Sequence, residues 1–495
     1  MAFASSTSVI EATAGVNDAE SLCYWPLWRL TQALQTQALS AQTLLDACEA
    51  AFTRDHETVH ALVIHDHAAA RAEASRIDAA RRAGEALGPL AGIPFSIKES
   101  FDVAGWPTTC GDPAHAQNIA DQDAAVITRL RRAGAVLLGK SNVPLHLRDW
   151  QSHNAVYGTT RNPHDPTRTP GGSSGGSAAA VCAGMSVFDV GSDIGSSLRN
   201  PAHYCGIFSH KSTHGLISLA GHGIRSDDPM PDINVAGPLA RSAKDLEILL
   251  RVLAQDGREL RAPRPVQLDH CRIGVLSSHP FAPVDSEVSS VIESLARRLE
   301  QSGAKVTMQS MPSIEAEELW RTYVLMLRAA TSMYMNDSAY AQAQERARAC
   351  DPHDLSYAAL QHVGTVLDHR AWLQLAQARR RFARAWDDYF QLYDVLLCPA
   401  AATPAFELNQ AGEPWQRMLS VNGRPQPMTT QLFWAGFSGL CGLPSTVTPA
   451  GLSTEGLPVG VQIIAGHGED LTSLRVAQWL EDLGYCYRPP RMRRQ

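Results

Sequence analysis

The 495-residue chain contains no apolar run of about 18 residues or more, so no membrane-spanning helix is expected. Its opening stretch, MAFASSTSVIEATAGVNDAE, lacks a basic segment followed by an apolar one, and no secretory leader is expected. There is no basic excess: 43 Lys and Arg stand against 50 Asp and Glu, for a net charge of −7. That balance speaks for a soluble protein and against nucleic acid as the main partner, which would leave a basic footprint. The ten cysteines include no CxxC pair and no Cys/His cluster with zinc spacing. They read as mostly buried free thiols in a reducing cytoplasm, because a chain this long does not depend on a disulfide framework. The GxSxG pattern occurs only inside the Gly/Ser tract, at 171–175 and 172–176, and 18 histidines could serve as bases.

What is present is an alternation of helical and strand-like segments. Residues 28–53 carry Leu and Ala at helical spacing, and 67–86 form a second Ala- and Arg-rich helix. GPLAGIPFSIKES then brings short β-like runs bounded by Gly and Pro. A helix at 122–133 leads to a buried strand at 135–139. Beyond the Gly/Ser tract at 170–177, SAAAVCAGM continues as a helix and SVFDVGSD as a strand and turn. Residues 314–392 are long, helical and rich in Arg, Ala, Tyr and Met, and 393–466 return to Gly- and Pro-punctuated strands. The expected fold is α/β with a mixed sheet, in one domain over 1–495. Its core spans 28–310 and 393–466, and the helical excursion 314–392 packs over the substrate side.

Three segments could carry chemistry. TPGGSSGGS, residues 169–177, has four glycines in its last eight residues, which allow positive φ and close approach to a substrate. By composition alone it could equally be a flexible linker, but it is short and an apolar helix follows at once. GSDIGSSLR, residues 191–199, runs from a strand into a turn that can present a hydroxyl beside free backbone N–H groups. In isolation it could be a plain strand-terminal turn. A serine needs an activating base; Lys98, at the end of the apolar run IPFSIK, is a candidate, although taken alone it reads as a surface lysine closing a strand. Desolvation there would lower its pKa. At its free value only roughly one lysine in 2,500 is neutral at pH 7.

Together, Lys98, GGSSGGS and GSDIGSS resemble the amidase signature family, and the resemblance covers most of the chain. GWPTTCG (105–111), LRRAGAVLLGKSNVP (130–144), GTTRNP (158–163) and GPLARSAKDL (237–246) are similar to further family segments. So are YDVLLCPAAATPA and GLPVGVQIIAG near the C-terminus. The resemblance implies an α/β/α sandwich and a stand-alone amidase. It implies Lys98 as catalytic base, Ser173 as a relay serine following a cis peptide bond, and Ser197 as the acylated nucleophile. The N–H groups of Ile194, Gly195, Ser196 and Ser197 would form the oxyanion hole. No metal or organic cofactor is implied, and the expected partner is a small amide or carbamate (urethane), with the chain a monomer or homodimer. A related possibility is the amidase subunit of a tRNA-dependent amidotransferase.

One departure stands out. Ser196 occupies a position where the family usually has glycine, placing a side chain within the oxyanion turn. Glu99 follows Lys98 where Asp is commoner.

Other features invite rival readings. GAVLLGKS, residues 134–141, matches the phosphate-loop pattern GxxxxGK[ST] and suggests a nucleotide-binding enzyme. Its centre is a buried strand and Asn-Val-Pro follows where a helix should begin, so Lys140 reads as structural. His203, His210 and His214 lie close together without a metal-binding spacing, and read as turn or surface residues. Asp193 and Arg199 read as braces for the serine turn. Trp320, Tyr323, Met326, Met333 and Tyr334 recur at roughly helical spacing. Core packing is the plainer reading, and a substrate pocket of Trp320, Tyr323, Met326, Trp434 and Phe437 is the alternative.

Overall fold

The computed structural model describes residues 19–225, 231–333 and 335–490. The reading of residues 1–18 and of Tyr334 falls outside them.

An eleven-stranded mixed sheet organises the chain. In spatial order its strands are Leu62–His65, Val136–Ser141, Pro94–Lys98, Phe188–Asp193, Val235–Ala240, Phe208–Lys211, Ser445–Leu452, Pro458–Ile464, Val395–Pro399, Arg272–Val275 and Lys305–Met308. Pro94–Lys98 runs parallel to both its neighbours, with Ile97 opposite Lys140 and Val190. Most of these strands are short apolar runs buried on both faces, as expected where helices cover a sheet. One apolar core packs the helices Ala41–Val59, Ala243–Leu253, Ser286–Gln301 and Asp470–Asp482 on the sheet. A second lies beneath Ala316–Ala330, His369–Leu392 and Leu432–Gly439.

The expected α/β class with a mixed sheet is what the chain adopts. The single helix expected over 28–53 is two, Leu27–Gln35 and Ala41–Val59. Gln37 takes a left-handed φ of 58°, and the Ser40 side chain caps the second helix by accepting from the Thr43 N–H. Between 314 and 392 lie the helices Ala316–Ala330, Asp337–Ala349, Tyr357–Thr365 and His369–Leu392. No helix among the described residues is long and apolar enough to cross a membrane.

Candidate active site

The parallel pairing of Pro94–Lys98 with Phe188–Asp193 puts the C-terminal ends of both strands side by side. In open α/β sheets such ends are where ligands bind. Lys98 is fully buried there, and its Nζ donates to Ser173 Oγ at 2.7 Å and to Ser192 Oγ at 3.0 Å. Burial pulls the ammonium pKa down to about 7, against the opposing pull of Asp193, Cys110 and Asp189.

Ser173 follows a cis peptide bond from Gly172. The glycine is needed for space: a Cβ at Gly172 would stand 2.4 Å from the Asp149 carbonyl oxygen. The Asn200 side chain ties this loop to the second serine turn. It accepts from the Gly172 N–H at 3.0 Å and donates to the carbonyls of Gly172 and Ser196 at 2.6 and 2.7 Å. The Ser174 N–H donates to the Ser197 carbonyl at 3.1 Å. The tract 169–177 is therefore a pinned loop rather than a linker, and the helix Gly175–Cys182 grows directly out of it.

Asp193 and Arg199 brace the turn carrying Ser197, as expected. Both are fully buried and paired, with Arg199 Nη2 at 2.8 Å from Asp193 Oδ1. Burial alone would raise the Asp193 pKa, but the Arg199 charge and hydrogen bonds bring it to about 2. The same carboxylate accepts from the Ser196 N–H at 2.9 Å and the Leu198 N–H at 3.0 Å. Arg199 Nη1 reaches on to Ala435, Ser438 and Gln462.

These contacts narrow the expected oxyanion hole. The Ser196 N–H is occupied by Asp193, because Ser196 takes a left-handed φ of 75°. The N–H groups of Ile194, Gly195 and Ser197 have no hydrogen-bond partner among the described residues. The carbonyls of Ile194 and Gly195 are held by Tyr323 Oη at 2.8 Å and Trp150 Nε1 at 2.9 Å. Ile194, Gly195 and Ser197 line a recess of about 110 Å³. Its other walls include Trp150, Leu327, Tyr357, Met428 and Leu432.

The pocket expected from Trp320, Tyr323, Met326, Trp434 and Phe437 does not form. All five are buried in the second core and none lines the recess. On the helix Ala316–Ala330 the face toward the recess carries Leu327, Arg328 and Thr331 at its end instead. Met333 is exposed.

Two members of the site escape sequence reasoning. Ser192 lies inside the GSDIGSS motif, where the pattern assigns it no role. His222 has no signal of spacing at all. Its Nε2 lies 2.8 Å from Ser192 Oγ and 3.1 Å from Ser100 Oγ, so it adjoins Lys98 through one hydroxyl. Burial, then the Lys98 charge, lower its pKa to about 3, which keeps the ring neutral.

The rival readings fail on geometry. Lys140 is fully buried, and its Nζ is engaged by the Pro107 carbonyl at 2.6 Å and Thr108 Oγ1 at 3.0 Å. His203 bridges Gly460 and Thr403, and His210 bridges Thr446 and Asp470. Both are buried, not surface residues. No group of three or more His, Cys, Asp or Glu among the described residues could hold a metal ion.

The pinned serine loop, braced turn and buried lysine sit in a chain whose residues 42–474 match the amidase family model. The chain belongs to the amidase-signature family, whose members hydrolyse carbon–nitrogen amide bonds. It is 31% identical over 477 residues to an indoleacetamide hydrolase of Bradyrhizobium diazoefficiens, covering 92% of this chain and 87% of that one. It is 32% identical over 491 residues to a glutamyl-tRNA(Gln) amidotransferase subunit of Synechococcus sp., covering 93% and 96%. Among solved structures, a 6-aminohexanoate cyclic dimer hydrolase complexed with substrate superimposes with a TM-score of 0.76 at 25% identity, covering 95% and 99%.

Proposed function

We propose that this chain is a serine amidohydrolase that cleaves a linear amide, anilide or carbamate through an acyl-enzyme. Neutral Lys98 takes the proton of Ser173 while Ser173 takes that of Ser197. Ser197 Oγ attacks the substrate carbonyl, and the developing oxyanion is received by the N–H groups of Ile194, Gly195 and Ser197. The proton returns through Ser173 to the leaving nitrogen, which departs as the amine. Water, deprotonated by the same relay, then releases the acid and restores Ser197. Esters are cleaved too, since their leaving groups need less help. The reaction needs no cofactor, and the chain works in the cytoplasm as a monomer or homodimer.

The observation that carries this reading is the 2.7 Å contact between buried Lys98 Nζ and Ser173 Oγ. Burial lowers the lysine pKa to about 7, which makes the neutral form accessible at physiological pH as it is not for a surface lysine. The test is labelling with a fluorophosphonate followed by peptide mapping. Label should appear on Ser197, vanish in Ser197→Ala and slow in Lys98→Ala. Label on Ser196 would shift the nucleophile by one residue, and a folded protein that neither labels nor cleaves an ester would overturn the reading.

The similarity to amidotransferase subunits supports a second reading, in which the chain liberates ammonia for a partner. Hydrolysis of a simple amide by the purified chain alone decides between the two.

A further inference from the structure

The recess beside Ser197 carries positive charge that the described residues do not neutralise. Arg148 and Arg328 both line it, and Arg148 also lines an adjoining recess of about 320 Å³. Neither guanidinium forms an ion pair among the described residues, whereas His146 and Asp149 of the same wall have partners. His146 lies 2.7 Å from Asp112, and Asp149 pairs with Arg417. Arg148 donates from Nη2 to the Thr331 carbonyl, and Arg328 Nε is buried without a partner among the described residues.

A plain structural role accounts for part of this. Arg328 lies in the last turn of the helix Ala316–Ala330, and Thr331 is its C-cap, where a cation suits the helix dipole. One cation satisfies that end. A second, close enough for Arg148 to feel the Arg328 charge, is a cost that the described residues leave standing. Arg148 is exposed along the recess, and crowding by the surrounding wall first and the Arg328 charge second lower its pKa to about 10. Two guanidinium groups around an open space are matched by a carboxylate, whose two oxygens accept their forked N–H groups.

We propose that the natural substrate carries a carboxylate, held by Arg148 and Arg328 away from the scissile bond. This rests on the serine-hydrolase reading above, because the recess is taken as the place where the amide lies. The arginines then select by charge: a neutral analogue of equal length leaves both guanidinium groups unpaired.

The probes are the monoanilides of succinic, glutaric and adipic acid, each compared with its methyl ester. Calorimetry on the Ser197→Ala protein measures binding without turnover. At least one acid should bind about tenfold or more tightly than its ester. Adding Arg148→Gln or Arg328→Gln to Ser197→Ala should remove that advantage while leaving ester binding in place. Equal affinity for every acid–ester pair, failure of all three acids to bind, or a preference that survives both arginine variants would overturn the proposal. Ester hydrolysis by the wild-type chain and by Ser197→Ala separates the two readings. Hydrolysis lost in Ser197→Ala with no acid preference leaves the nucleophile standing and sinks the carboxylate site. Hydrolysis retained in Ser197→Ala with a clear acid preference does the reverse.

Discussion

Asp193 Oδ1 accepts the Ser196 N–H at 2.9 Å while the same oxygen pairs with Arg199 Nη2 at 2.8 Å. One buried carboxylate thus sets the conformation of the serine turn and neutralises the arginine behind it. Replacing Asp193 by Asn keeps the shape but leaves Arg199 buried and uncompensated. Stability should fall by about 3–5 kcal/mol. Hydrolysis should fall by about a hundredfold or more, through misaligned amides. Denaturant melts and ester kinetics on Asp193→Asn check both. Unchanged stability would mean that Arg199 is satisfied by Ala435, Ser438 and Gln462 alone.

On the proposed mechanism only neutral Lys98 removes a proton. Its pKa, lowered by burial to about 7, sets the sign: the lysine is protonated and idle below that value and active above it. kcat/KM for a neutral amide should rise with pH, with a midpoint near 7, and lose about tenfold per unit on the acid side. A midpoint near the ordinary lysine value would show that Lys98 is hydrated in the working enzyme.

Ser196 holds a left-handed φ of 75°, and its Oγ is buried without a partner among the described residues. Ser196→Gly should relieve both penalties, against some loss of backbone entropy, for a net gain of about 1 kcal/mol. The urea midpoint should rise with an unchanged slope. A lower midpoint would show that the serine Cβ contributes packing that outweighs the strain.

His222 stays neutral and touches Lys98 only through Ser192, so it is a positioning residue. His222→Leu should lower kcat by about tenfold with little change in KM, because Ser192 loses the partner that orients it. His222→Gln, which keeps a hydrogen-bonding group, should recover part of that loss. Equal kcat in wild type and His222→Leu would confine His222 to packing against Phe101.

Gly172, Ser173, Gly195 and Ser197 are legible in the sequence because close backbone approach restricts residue type locally and the two segments together resemble the amidase-signature pattern. Lys98 is legible only beside the two serine motifs, because a lysine closing a strand is by itself ordinary. His222 is not, since AGHGI reads as any loop. It reaches Ser192 only because the chain around Gly221 and Gly223 hydrogen-bonds to Ser100 and Asp102 beside Lys98. The aromatic stripe fails for a related reason. Helical spacing shows that Trp320, Tyr323 and Met326 share a face, but not whether that face meets core or cleft.

The sequence by itself determined the α/β class, because periodicity acts within a few residues, and it pointed to the two serine segments and the lysine through their joint resemblance to the amidase-signature family. Only the tertiary structure decided that Ser196 spends its N–H on Asp193, that His222 stands behind Ser192, and that Arg148 and Arg328 face one recess. Those relationships join residues up to 180 positions apart (328 − 148). Burial, pairing and charge balance at such distances exist only once the sheet has brought the segments together.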